Sequence, residues 1–139
     1  MLRTVQELSL EMAEIMAEQA GKFAVKNNIC VAIAIMDNHG NLKLFKRMDG
    51  NNFVSVRMSQ LKAMTSASIP ISTKGLAERN NAYSNSPYTS VPDIVFLEGG
   101  LAIISKAGQH LGSIGISGAN PELDGLCARA ALDAIQDYL

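Results

Sequence analysis

Cys30-Val31-Ala32-Ile33-Ala34-Ile35-Met36 is followed by Asp37-Asn38-His39-Gly40-Asn41 and then by Leu42-Lys43-Leu44-Phe45-Lys46-Arg47-Met48. The outer runs are β-branched or alternately apolar, and the five residues between them have turn chemistry, so the stretch reads as a β-hairpin. In its first strand Val31, Ile33 and Ile35 point one way while Ala32 and Ala34 point the other. One sheet face therefore has a thick apolar lining. The opposite face leaves room for a closely packed helix or a flat ligand.

Upstream, Val5, Leu8, Met12, Ile15, Met16 and Phe23 recur at three- and four-residue steps and predict a long first helix. Thr4 and Glu7 have capping-box spacing, and Asn27 and Asn28 suit the stop. Leu10, Ala13, Ala17 and Ala24 widen the stripe, either as a broad core face or as a second contact with another subunit. A C2 contact through this helix is the simplest oligomer.

Downstream, residues 53–68 read as a helix with Val54, Met58, Leu61 and Thr65 on neighbouring turns, ended by Pro70. Residues 72–80 suit a short capped helix. Residues 83–93 contain Pro87 and Pro92 and show neither period, so they form a loop of the kind that borders binding sites. Residues 94–97, 102–105 and 110–117 read as three further strands, and Asn120-Pro121-Glu122 opens a last helix that should run to Tyr138. The expected fold is α+β, a single domain over residues 1–139 with helices against an antiparallel sheet.

Composition narrows the function. The chain has 139 residues, 47% hydrophobic and 18% charged, enough for one domain with a moderate core. Its 12 basic and 13 acidic side chains leave a net charge of -1, without the long-range positive field that collects nucleic acid. Two cysteines, Cys30 and Cys127, make neither a disulfide framework nor a zinc set and suit a reducing compartment. The amino terminus lacks the pattern of a signal peptide, and no run of ~18 apolar residues could cross a bilayer. The expectation is a soluble, cytoplasmic protein with no membrane and no nucleic-acid partner.

Gly99, Gly100, Gly108, Gly112, Gly115 and Gly118 crowd one short stretch. With regular pleating, Leu111, Ser113, Gly115 and Ser117 share one nearly bare strand face. That bareness fits two readings, tight packing of a helix or subunit, or a pocket floor for a planar ligand. The stretch matches neither a phosphate loop nor a dinucleotide fingerprint, and Ser117 lacks the nucleophile-elbow pattern. His39 and His110 form no ligand pair and read as surface residues, so no metal site is assigned. Arg47 offers a planar fork and Lys62 a point charge for a carboxylate. Alternatively, Arg47 pairs with Asp49 or Glu98 and Lys62 is a solvated helix residue. Met48, Met58 and Met64 could supply a soft lining.

Arg47-Met48-Asp49-Gly50, Lys62-Ala63-Met64-Thr65, Gly99-Gly100 and Gly112-Ser113-Ile114-Gly115-Ile116-Ser117-Gly118, followed by Asp124, resemble the signature blocks of the GlcG/HbpS-like proteins. The domain at the carboxyl end of the PduO adenosyltransferases shares them. The resemblance covers nearly the whole chain. It implies a profilin-like fold with a five-stranded antiparallel sheet flanked by helices, and assembly into homo-oligomers. It also implies haem binding, sometimes with slow oxidative haem breakdown, in gene contexts linked to glycolate or to coenzyme B12-dependent diol and glycerol use.

On that resemblance the expected function is non-enzymatic binding of haem or, less favoured, a corrinoid. Arg47, Lys62, Thr65, Gly99, Gly100, Ser117 and Gly118 would be the binding residues. The alternatives are a haem-degrading enzyme and an accessory protein of a B12-dependent dehydratase with no small ligand. Two departures from the family pattern stand out: Leu101-Ala102 replaces a Val-Pro pair, and Asn51 replaces a small residue. The first helix also lacks the histidine that some relatives place near the haem iron, leaving His39 and His110 as the only imidazoles.

Overall fold

A computed structural model describes residues 1–139. Helix α1 (Leu10–Lys26) begins at Ser9, whose hydroxyl accepts from the Met12 amide, and not at the Thr4/Glu7 box. The segment before it has no regular structure, with Val5 exposed and Leu8 buried. Ala13, Ala17 and Ala24 are fully packed, so the widened stripe is a core face, while Leu10 stays outside it. Asn27 closes the helix, and Asn28 follows with a φ of 54°.

Strands β1 (Ala32–Asp37) and β2 (Leu42–Arg47) form the expected hairpin. Then come α2 (Phe53–Ser68), α3 (Thr73–Asn81, capped by the Ser72 hydroxyl), β3 (Gly100–Ile104), β4 (His110–Ser117) and α4 (Pro121–Asp133, capped by Asn120). α4 stops short of Tyr138, and residues 136–138 make a separate 3-10 turn.

The sheet has four antiparallel strands in the order β2-β1-β4-β3, one fewer than expected. The missing strand is residues 94–97, which run as irregular chain. The Val95 amide is satisfied by the Thr65 hydroxyl at 3.0 Å, so it is tied to α2 and not to a ladder.

The hairpin alternation sorts the layers. Val31, Ile33, Ile35, Ile114 and Ile116 face α1 and α4 in the main core, whereas Ala34 and Met36 face α2 and meet Ala63. Leu111 belongs to the main core and not to the bare face of β4. The pairing skips it, with Ile103 opposite Gly112 and Ile104 opposite His110, and this bulge turns Leu111 over.

Of the α2 stripe read from the sequence, Thr65 is fully buried, Met58 and Leu61 are half-buried, and Val54 is exposed. The helix buries Ser55, Ser59, Lys62, Ala63, Thr65, Ser66 and Ala67 while Phe53, Val54 and Met64 are exposed. Apart from Lys62, the side chains it buries are small, which lets the helix lie close to the sheet. No helix is long and apolar enough to cross a membrane.

Candidate functional site

The bare face of β4 is covered by the chain itself. A Cβ at Gly115 would overlap the Ser59 carbonyl and the Ala63 amide, and the Ser113 hydroxyl donates to the Ala63 carbonyl. Of the two readings of this glycine face, the packed helix is the one realised. A flat ligand has no space there.

The same contact determines the fate of Lys62. Its side chain is enclosed, with Nζ donating to the Ile116 carbonyl at 2.8 Å and to Asp124 Oδ2 at 3.1 Å. Burial pushes the ammonium below its ordinary value of 10.5, and Asp124 pulls in the opposite direction. Asp124 Oδ1 accepts from the Ala119 amide, fixing the chain where β4 turns into α4. A Cβ at Gly99 would lie 2.7 Å from that Nζ and 2.6 Å from the Ile116 carbonyl, and a φ of 135° also favours glycine there. At Gly100 it would lie 2.7 Å from the Lys62 carbonyl, and the Gly100 amide is held by the Thr73 hydroxyl at 3.0 Å.

Thr65 is buried, donates to the Leu61 carbonyl and accepts from Val95. At Gly118 a Cβ would strike the Cys30 carbonyl, and the Asn51 amide group bridges the Cys30 and Ser117 carbonyls. Lys62, Thr65, Gly99 and Gly100 thus lie along the seam between α2 and the sheet, while Ser117 and Gly118 meet Asn51 at the end of β4. Arg47 is in the same cross-strand row as Ser117, on the far side of Ala32, exposed at the end of the β2 edge and paired with neither Asp49 nor Glu98.

Arg47 also borders a groove of about 690 Å³ on the opposite side of the sheet, between α1 and β2. Its floor is Ala17, Gly21 and Val25 of α1, Ile33 of β1, and Met48 just after β2. Lys22 and Lys26 stand one helical turn apart on one wall, with Lys46 and Arg47 on the other. Lys46 pairs with Ile33 and so shares its face, while Arg47, the next residue, borders the groove from the strand edge. Lys22 pairs with Glu18 at 3.3 Å, an exposed contact worth little, whereas Lys26, Lys46 and Arg47 have no ion-pair partner.

An apolar floor between walls carrying unpaired cations can hold a flat apolar body with acidic arms. Reading the sequence missed Lys22, Lys26 and Lys46. The signal was the four-residue spacing of the two lysines beside Gly21, but only the fold brings β2 alongside them.

Neither histidine reaches this groove. His39 lies in the β1-β2 turn, and the His110 ring contacts the Gly112 carbonyl at 3.0 Å. Asp37 pairs with Gly112 while Ala32 pairs with Arg47, so both imidazoles sit at the far end of the sheet. That is roughly 16 Å away for five residues of strand. No cluster of three histidine, cysteine or carboxylate side chains able to hold a metal ion occurs.

A family model described as haem degrading protein HbpS-like matches residues 8–133. The chain belongs to the HbpS-like family. Protein GlcG of Escherichia coli (strain K12) is 34% identical over 116 residues, which span 84% of this chain and 85% of that protein. Klebsiella pneumoniae protein ORFY superposes with a TM-score of 0.89 at 29% identity, covering 99% of this chain and 96% of that one. A crystal structure of a PduOC:heme complex superposes with a TM-score of 0.83 at 25% identity, covering 94% and 96%. The HbpS-like match begins at the buried Leu8 and ends at Asp133, the last residue of α4, and so includes every element that lines the groove.

Proposed function

We propose that this chain binds haem or a closely related tetrapyrrole in the α1-β2 groove and holds it without transforming it. The observation that carries the reading is the groove itself: a floor of small and apolar side chains, and the unpaired cations Lys26, Lys46 and Arg47 on facing walls. Its volume falls within the range usual for small-molecule sites. The family description and the heme-bound PduOC relative support the choice of ligand.

In this reading Lys26, Lys46 and Arg47 hold the propionates, and Ala17, Gly21 and Ile33 lie against the ring. The bound group would supply redox and oxygen chemistry, while the protein supplies orientation and charge. Carboxylate arms match these cations better than the amide arms of a corrinoid, which ranks the porphyrin first. The storage role rests on the lining, whose polar groups are cations and the Glu18–Lys22 pair. The family description favours one alternative, oxidative haem breakdown.

Absorption titration with haemin tests the proposal. Saturable binding at micromolar concentration that weakens in Arg47→Ala/Lys46→Ala supports it, and a flat titration removes it. Loss of the haem band with iron release under peroxide or oxygen would replace storage by breakdown.

A homo-oligomer completes the reading, as a single domain in a reducing cytoplasm where Cys30 and Cys127 remain thiols. The exposed Phe53, Val54 and Met64 on α2, of which Phe53 and Met64 line a hollow of about 360 Å³, support a second copy covering α2 and not α1. No feature of the fold favours the dehydratase partner over these readings.

A further inference from the structure

We infer that Met48 is the residue this chain offers to the metal of a bound metalloporphyrin, making the site selective for the reduced, ferrous form. The inference rests on the groove being the tetrapyrrole site. Among its lining side chains, Lys22, Lys26, Lys46 and Arg47 are ammonium or guanidinium groups, which have no lone pair to give while charged. Glu18 is two-thirds exposed and offers only a hard carboxylate oxygen, which suits ferrous iron poorly. Ala17, Gly21, Val25 and Ile33 have no side-chain donor atom. The thioether of Met48 remains.

Its placement is fixed by backbone and side chain together. The Met48 amide donates to the Val31 carbonyl at 3.0 Å, and the Val31 amide is directed at Met48 Sδ at 3.5 Å. This reciprocal contact pins Met48 to the start of β1. It engages only part of the sulfur, which is a weak acceptor with a further lone pair. The residue is half-buried beside Ile33, where solvent competes poorly for a metal. Thioether sulfur is a soft ligand, and methionine ligation raises the reduction potential of haem iron by favouring the ferrous state.

The test uses three probes, haemin, dithionite-reduced haem and metal-free protoporphyrin, with the wild type, Met48→Leu and Met48→His. The expected result is tighter binding of reduced haem than of haemin by the wild type. Met48→Leu should weaken reduced haem by about tenfold and abolish its ligand-dependent absorption bands, while metal-free porphyrin shifts by no more than about threefold. Met48→His should give nitrogen-ligated spectra with both oxidation states, a readout that stands even if the leucine variant folds poorly. Unchanged ferrous bands in Met48→Leu, together with no new bands in Met48→His, would overturn the assignment of Met48 while leaving the groove intact. Failure of all three probes to bind the wild type would instead overturn the groove reading.

Discussion

Lys62 and Asp124 meet at 3.1 Å with each side chain 2% exposed, and this pair ties α2 on one face of the sheet to the first turn of α4 on the other. Removing one partner leaves the other charge buried without compensation, which costs about 3–5 kcal/mol. Lys62→Met should therefore lower stability by that order in urea unfolding, and adding Asp124→Asn should recover part of the loss. A rim lysine would show neither effect.

The same lysine sets a pH signature. Its pKa is lower in the folded state than the ordinary 10.5, so between those two values the unfolded chain binds more protons. Stability attributable to Lys62 should rise with pH through the window below 10.5 and level off above it. Unfolding free energies of wild type minus Lys62→Met, measured from neutral pH upward, check the sign. A difference that falls with pH contradicts the burial.

The two thiols should differ sharply. Cys127 donates to the Ala20 carbonyl at 3.4 Å, and burial, with Asp124 adding to it, pushes its pKa up to about 12. Cys30 is exposed. Because the thiolate is the reacting species, a disulfide-exchange reagent at pH 8 should titrate one thiol in the native protein and a second only on unfolding. Two fast thiols would show that α1 and α4 separate readily.

Most of the architecture was legible because its elements announce themselves locally: the hairpin by alternation, α2 and α3 by their ends, α4 by Asn120-Pro121. The fifth strand was misread because residues 94–97 have strand composition, while their hydrogen-bonding partner is a hydroxyl 30 residues earlier in sequence, on Thr65. Leu111 was misplaced because a bulge shifts the period without changing residue types. The glycine face was correctly seen as a slot, but what fills it depends on Ser59 and Ala63, whose approach no local pattern encodes. Arg47 was found and its companions were not, since the groove joins residues from α1 to residues some twenty positions later on β2.

The face of α2 turned away from the sheet should mediate self-association. Phe53 is 85% exposed, beside Val54 and Met64, and such grouped apolar surface marks interaction sites. Phe53→Asp/Met64→Lys should reduce the mass measured by light scattering, with the circular dichroism spectrum unchanged. A wild type that is monomeric at every concentration removes this prediction and leaves the groove untouched.

Gly21 separates ligand binding from folding. It lies in the middle of α1 on the groove floor, and a Cβ built there meets nothing within 4 Å. Glycine in a helix interior costs about 1 kcal/mol relative to alanine, so Gly21→Ala should raise the unfolding free energy by up to that amount. Gly21→Leu gains most of the same helix propensity while its side chain occupies the space between α1 and β2. It should keep wild-type stability and lose haemin affinity by at least about tenfold, as a blocked apolar pocket requires. Lys26→Ala should weaken binding in a salt-dependent way and lower stability by no more than about 1 kcal/mol, because it removes an exposed charge from the last turn of α1. Gly115→Ala on the opposite face provides the contrast. It should destabilise the fold by about 1–3 kcal/mol through overpacking against Ser59 and Ala63, and leave the affinity of the molecules that remain folded unaltered. Haemin titrations beside thermal melts distinguish these outcomes. If Gly21→Leu binds haemin as the wild type does, the ligand lies elsewhere on the protein.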